Sequence, residues 1–155
     1  MTSENLPSAN SVAAETDALI FPSFDEGDAW ALGRALVQMA QEDGLGVAIN
    51  IRTPDRTLFH AALQGAAPLN DKWALRKSNV AFMFGKSSLE VGCANREKGQ
   101  DLARDGLCSA DYADNGGAVP VMVAGAGVVA VVTVSGLPQL EDHAMVVAAM
   151  RAHLS

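Results

Sequence analysis

The sequence predicts an α+β fold in which a largely antiparallel β-sheet is flanked by α-helices within a single domain. Two pairs of apolar runs are each joined by a tight turn, one within residues 47–63 and one within residues 118–134. Helical patterns with clear start signals precede, separate and follow these pairs. Because each pair is expected to form a hairpin, we expect the helices to pack on the faces of one sheet.

Length and charge limit the class of protein. A chain of 155 residues is long enough to bury one core, and we expect a domain over residues 16–155 preceded by a disordered tail over residues 1–15. The net charge of −7 argues against nucleic-acid or anionic-membrane partners, since phosphate binding requires clustered lysine and arginine. The polar, acidic start does not resemble a signal peptide.

The two cysteines predict a cytoplasmic protein. Cys93 and Cys108 lack the spacing of a metal-binding pair and have no histidines close by in the sequence. We therefore expect free thiols and no structural metal. The apolar run over residues 118–134 is too short and too interrupted by glycine to predict a membrane helix.

The first half of the chain begins with a helix and a hairpin. Ser23 and Glu26 have the spacing of a capping box, and the apolar repeat behind them ends at Gly44. The alternation over residues 47–51 predicts a strand, TPDR a type I turn, and residues 57–63 the return strand. A further short strand is expected near residues 18–21.

Two helices, a hairpin and a last helix follow. Asn70 and Asp71 have the features of a helix start, and Ser87 with Glu90 repeats the capping-box spacing. The pattern is lost over residues 100–115, which predicts a solvated excursion. A hairpin turning at Gly125, Ala126 and Gly127 comes next, and Pro138 suits the first position of the last helix.

His143 and Asp142 are the candidates at the start of the last helix. The positive end of the helix dipole favours neutral imidazole at His143, which could ligate iron or act as a base, or could simply be a hydrogen-bonded core residue. Adjacent helical residues point about 100° apart, so Asp142 would more easily orient another histidine than its own neighbour. An acid–base enzyme would need Asp142 with His143 or His60, and no catalytic residue is assigned.

Further candidates lie on the preceding strand and helix. His60 either faces a pocket or lies at a sheet edge. Lys77 lies on the apolar stripe with Trp73, so its amine either reaches solvent along Trp73 or meets an anion. Arg76 beside it could bind a carboxylate-bearing ligand. Ser87 could add donors to an anion site, although capping alone explains it.

Gly116 and Gly117 either meet a backbone requirement or allow a ligand close to the main chain.

Other catalytic patterns are missing from the sequence. GxSxG, GxGxxG, GxxxxGK and HExxH are all absent, so the serine-hydrolase, nucleotide and zinc-protease classes find no support.

Five segments together resemble a known family. They are FPSFDEGDAWALG, LFHAALQGAAPLNDKWALRKSNV, SSLEVG, GGAVPV and VVAVVTVSGLPQLEDHAMVV. They resemble the haem-degrading, GlcG/HbpS-like domain family, in particular its branch of uncharacterised (UPF) proteins with an SGLPQxxDH signature. The resemblance runs from about Leu19 to the C-terminus. It implies a profilin-like α+β domain that forms homo-oligomers and a role in haem binding or degradation.

Two functions follow as hypotheses. The first is a small-ligand protein, with haem as the implied cofactor, whose pocket lies between the central hairpin, the Trp73 helix and the last helix. It predicts that His143, His60 and Arg76 converge on one cavity, either within one chain or across a subunit interface. Arg76 and Lys77 would bind the propionates, and Trp73, Phe82 or Phe84 would form the walls. The alternative is a non-catalytic oligomeric adaptor in which such polar groups lock subunits together and leave no cavity.

Overall fold

The computed structural model describes residues 5–155 and contains helices on both faces of one mixed five-stranded sheet, which confirms the predicted α+β class. The helices are α1 (Ala9–Asp17), α2 (Glu26–Glu42), α3 (Pro68–Phe84), α4 (Ser88–Lys98) and α5 (Gln139–Leu154). The strands are β1 (Ile20–Phe21), β2 (Ala48–Arg52), β3 (Thr57–Ala62), β4 (Ala118–Val123) and β5 (Gly127–Ser135), with a 3-10 turn at Leu102–Asp105. None of the helices described is long and apolar enough to cross a membrane.

The sheet has the order β1-β4-β5-β2-β3, with β5 in the centre. The β4–β5, β5–β2 and β2–β3 pairs are antiparallel, and β1 pairs with β4 in parallel. Both edges of β5 are therefore hydrogen-bonded within the chain. The absence of charged or proline residues along this apolar strand therefore needs no second subunit to explain it.

The side chains of β5 divide the molecule into two layers. Val132 and Val134 belong to the main core, which also includes residues of α2 and α5. Val131 belongs to a smaller cluster with Ala81 of α3. Because successive strand residues point to opposite faces, Thr133 and Ser135 share the α3 face with Val131. This face, partly polar, is where the candidate site lies.

Two helix starts differ from prediction. The capping box of α2 is formed by Asp25 and Asp28 rather than Ser23 and Glu26, with Asp28 N to Asp25 Oδ1 at 3.0 Å and Asp25 N to Asp28 Oδ2 at 2.9 Å. Two overlapping candidate boxes occur in this stretch, and aspartate caps as well as serine does. α3 starts at Pro68, and the side chain of Asn70 accepts from Ala67 N at 2.8 Å.

The predicted start of α4 is confirmed, because Glu90 N donates to Ser87 Oγ at 3.1 Å. Within the predicted excursion over residues 100–115, Leu102 is buried beside α3 and α4.

The N-terminal segment is a helix over much of the stretch expected to be disordered. Ser8 caps α1 by accepting from Ser11 N at 3.1 Å, and Val12 is buried against Leu89 and Cys93 of α4. This order comes from tertiary contacts with a distant helix, which the polar composition of the segment does not reveal. Of the rest of the expected tail, residues 5–8 precede the helix, and residues 1–4 lie outside the residues that the structure describes.

Candidate functional site

A buried ion pair joins α3 to the start of α5. The side chains of Lys77 and Asp142 are only 5% and 1% exposed, and Lys77 Nζ lies 2.9 Å from Asp142 Oδ2. Lys77 Nζ also donates to the carbonyls of Gly116, at 2.9 Å, and Val134, at 3.2 Å. All three N–H bonds of the ammonium group are therefore used inside the protein. The anion that meets Lys77 is Asp142 of the same chain.

The turn before α5 surrounds the carboxylate of Asp142. Gly136 N donates to Oδ2 at 3.2 Å and Leu137 N donates to Oδ1 at 2.9 Å. Charge-assisted hydrogen bonds of this kind fix a loop firmly. Asp142 therefore anchors the loop between β5 and α5 to the ammonium group of Lys77.

Gly117 lets Lys77 reach the main chain. Its φ is +139°, and a Cβ there would lie 2.4 Å from Val134 O and 2.7 Å from Lys77 Nζ. A Cβ on Gly116 would lie 2.6 Å from Gln139 O. Protein atoms therefore occupy the space beside both glycines. The structure explains them by close packing of the chain around the ion pair.

Burial shifts both members of the pair towards their neutral forms. Desolvation lowers the pKa of Lys77, and the charge of Asp142 opposes this shift. Desolvation likewise raises the pKa of Asp142, opposed by Lys77 and by the backbone donors of Leu137 and Gly136. With every ammonium proton engaged, Lys77 has no N–H left to offer a ligand.

A cavity of about 280 Å³ lies beside this pair, between α3, the end of β5 and the start of α5. It occupies the region named by the ligand hypothesis. We call it the polar pocket, and its lining residues are Asn70, Trp73, Lys77, Asn115, Ser135, Gly136, Leu137, Gln139 and Asp142.

Several polar groups on the pocket are not used by the protein. The hydroxyl of Ser135 has no hydrogen-bond partner within residues 5–155, although the residue is only 2% exposed. The side-chain amide of Asn115 and the indole N–H of Trp73 also make no hydrogen bond to the described part of the chain. Because these groups line the cavity and make no hydrogen bond to residues 5–155, they are available to a ligand.

Arg76 points away from the polar pocket. Its guanidinium lies 4.3 Å from the centroid of the Trp73 ring, and its Nε donates to Ser109 O at 2.9 Å. It lines a separate surface depression with residues of the 101–115 loop. Trp73 therefore separates Arg76 from the cavity that contains Lys77.

His60 and Asp71 form a hydrogen bond at the edge of the sheet. Nε2 of His60 lies 2.8 Å from Asp71 Oδ1, and Nδ1 lies 3.1 Å from Asn50 Nδ2. The side chain is 37% exposed. His60 is an edge histidine with both ring nitrogens engaged.

His143 connects α5 to the N-terminal helix. Its Nε2 lies 2.7 Å from Glu15 Oε1, and its buried Nδ1 has no partner among residues 5–155. Neither the His143 ring nor the His60 ring makes a hydrogen bond to the Asp142 carboxylate among residues 5–155. Within one chain, His143, His60 and Arg76 do not converge on one cavity, because each is engaged by a different element.

The structure thus brings together Trp73, Lys77 and Asp142, with Gly116 and Gly117 packed against the pair. Ser87 remains a helix cap outside the pocket.

Sequence reasoning missed Ser135, Asn115 and Gln139. A signal existed for Ser135 and Gln139, since both lie within SGLPQ, seven residues or fewer before Asp142. Among residues 5–155 no group of three His, Cys, Asp or Glu side chains could hold a metal ion.

The fold and the pocket define a single-domain α+β protein in which helices flank a polar cavity at one end of a mixed sheet. The family described as "Haem degrading protein HbpS-like" matches residues 24–151. The chain therefore belongs to the HbpS-like family.

Relatives and solved structures agree with this assignment. A UPF0303 protein of Burkholderia thailandensis is 50% identical over 93% of this chain and 88% of its own length. One from Paraburkholderia xenovorans is 46% identical over 92% and 87%. The crystal structure of Ybr137w is similar with a TM-score of 0.87 and 30% identity, over 95% of this chain and 88% of that one.

A more distant structure contains haem. The crystal structure of a PduOC:haem complex is similar with a TM-score of 0.71 and 18% identity, over 84% of this chain and 94% of that one. This likeness shows the shared fold.

The residues of this chain do not fit haem in the polar pocket. Haem iron requires an axial ligand such as histidine, cysteine, methionine or tyrosine, and none of these lines the cavity. The expected walls are also elsewhere. Phe82 stacks under the guanidinium of Arg52 at 4.8 Å, and Phe84 packs with the cluster that contains Val91.

Proposed function

We propose that this protein binds a small organic molecule in the polar pocket, held by Ser135, Asn115 and Trp73. The observation that carries the proposal is the hydroxyl of Ser135, which lines the pocket beside the satisfied ion pair and makes no hydrogen bond to residues 5–155. A ligand hydrogen bond to this hydroxyl would replace one to water, with a net gain of about 0.5–1.5 kcal/mol. The adaptor alternative remains a prediction. It expects the polar groups to leave no cavity, and the presence of the polar pocket argues against that expectation.

Ligand-observed NMR with a library of small fragments tests this proposal. Ser135→Val places two methyl groups in the pocket and removes the hydroxyl. Thr133→Val is the matched control, since Thr133 shares the strand face but does not line the cavity. We expect fragments that bind the wild-type protein to lose their signal with Ser135→Val and to keep it with Thr133→Val. Fragments unaffected by Ser135→Val, or no binding fragments at all, would contradict the proposal.

Haem handling is the second candidate. It is supported by the family assignment and by the haem complex of a protein with the same fold. Within this chain, His60 or His143 would first have to leave Asp71 or Glu15. A haemin titration followed by visible absorbance tests it, repeated with His60→Ala and His143→Ala. A saturable Soret shift abolished by one substitution would support haem, and a linear response unchanged in both variants would exclude it.

We further propose that the protein forms a homo-oligomer in the cytoplasm. The support for self-association is the outer face of α3, on which Leu69, Leu75 and Met83 are all more than half exposed. Exposed large apolar side chains gathered on one helix are typical of contact surfaces. The cytoplasmic location rests on the cysteine pattern alone.

A further inference from the structure

We propose that the ligand of the polar pocket is an uncharged molecule bearing hydroxyl or amide groups. This inference rests on the proposed ligand-binding function and specifies its chemistry. The starting point is the charge of the lining. Lys77 and Asp142 are its two charged residues, and they neutralise each other at 2.9 Å. A charged ligand would thus enter a site with no unpaired counter-charge.

The neutral groups of the lining match hydroxyls and amides. The Ser135 hydroxyl and the Asn115 amide can each donate and accept, and Nδ2 of Asn70 can donate because only its Oδ1 is used by Ala67 N. Hydroxyl and amide groups of a ligand also both donate and accept. Such a ligand could satisfy all these side chains at once, whereas a group that only accepts would leave the acceptors of Ser135 and Asn115 unused.

The backbone N–H groups next to the pocket that would bind an anion already donate to a carboxylate of the protein. Backbone N–H groups at the start of a helix attract anions, and those of Gly136 and Leu137 just before α5 both donate to Asp142. Asp142 therefore takes the position that a ligand carboxylate or phosphate would otherwise occupy. The net charge of −7 adds a further repulsion against anions.

The size of the cavity limits the ligand further. At about 280 Å³ it lies at the lower end of pockets for small organic molecules, which span roughly 300–1,000 Å³. A single ring or a short chain of hydroxylated carbons fits this volume. Trp73 and Leu137 provide the apolar surface that such a molecule would contact.

Two probes that differ only at one end test the inference, D-gluconamide and D-gluconate. They carry the same hydroxyls, with an amide in the first and a carboxylate in the second. The titrations use a Trp30→Phe background, in which Trp73 is the sole tryptophan of the chain and its fluorescence reports on the pocket. Calorimetry on the unsubstituted protein provides an independent measurement.

We expect gluconamide to change Trp73 fluorescence saturably. We expect gluconate to bind about tenfold more weakly or not at all, because its carboxylate would meet no unpaired positive charge in the pocket. Ser135→Val is expected to weaken gluconamide binding about tenfold, and Thr133→Val to leave it unchanged. Tighter binding of gluconate would overturn the uncharged ligand class while leaving ligand binding in place. Binding of neither probe would overturn the inference, and the fragment experiment with Ser135→Val would decide the proposed function separately.

Discussion

The buried Lys77–Asp142 pair determines the shape of the polar pocket at the scale of single residues. The sequence predicted that a lysine on an apolar stripe either reaches solvent or meets an anion, and the second alternative holds. It could not identify the anion, since Asp142 lies 65 residues further along the chain. The choice between a ligand and a protein carboxylate depends on tertiary contacts, which no local spacing encodes.

Lys77→Met tests the role of the pair in stability. The substitution leaves a buried, unpaired Asp142, and breaking a buried pair from one side costs about 3–5 kcal/mol. We expect a loss of this size in the free energy of unfolding measured with urea. The double variant Lys77→Met/Asp142→Asn carries no buried charge and should be more stable than Lys77→Met alone. If the double variant lost as much stability as Lys77→Met and Asp142→Asn together, measured singly, the pairing would be contradicted.

Thr133→Val is expected to stabilise the protein. The Oγ1 atom of Thr133 is buried and has no partner among the described residues, so its hydroxyl carries a desolvation cost without a hydrogen bond. Valine has nearly the same shape, and we expect a gain of about 1 kcal/mol in thermal or urea unfolding. Thr133→Ser keeps the hydroxyl and loses the methyl group, so it should be less stable than wild type. A destabilised Thr133→Val would show that the hydroxyl is satisfied.

Several elements were predictable from the sequence because their signals are local. The hairpin turning at Gly125, Ala126 and Gly127, the Ser87 cap and the presence of the last helix follow from turn and cap chemistry. Pro138 is the N-cap of that helix rather than its first residue, so this boundary was predicted one residue early. The start of α2 was assigned to the wrong pair because two overlapping capping boxes occur there. α1 was missed because its order depends on Leu89 and Cys93, which lie far away in the sequence.

The capping box of α2 predicts a pH dependence of stability. The backbone N–H of Asp25 lowers the pKa of Asp28 below its ordinary value, so the folded state prefers the ionised carboxylate. A group with a lowered folded pKa contributes stability above its unfolded pKa, and this contribution is lost as pH falls through the folded value. We expect wild type to lose stability relative to Asp28→Asn below about pH 4 in urea titrations. Asp43→Asn, at the other end of α2, is the control, and an identical pH profile for Asp28→Asn and wild type would contradict the assignment.

At the scale of the whole molecule, the candidate histidines are dispersed and a polar cavity remains. His60 pairs with Asp71 at the β3 edge, while His143 pairs with Glu15 of α1 on another side of the domain. Fold class and family were within reach of the sequence because long apolar patterns and extended motifs define them. The residues that line the cavity could not be predicted from the sequence, because they come from three separate segments of the chain.

The outer face of α3 predicts the state of association. We expect the wild-type protein to have a mass above 16.1 kDa in light scattering, and Leu75→Glu/Met83→Glu to shift it towards that monomer value. Trp30→Glu is a matched control, since Trp30 is 59% exposed on α2 in the other helical layer. A wild-type monomer, or dissociation by Trp30→Glu alone, would contradict self-association through α3.

The most direct test of the polar pocket as the ligand site is a map of backbone amide shifts by ¹H–¹⁵N NMR. The protein is titrated with the fragments that bind it, and the amides of Gly136 and Leu137 report on the pocket because they donate to Asp142 at its wall. We expect the largest shifts at Asn115 and over residues 135–139. Shifts centred instead on the groove beside Trp30 and Phe59, or around His143, would place the ligand elsewhere and contradict the proposed site.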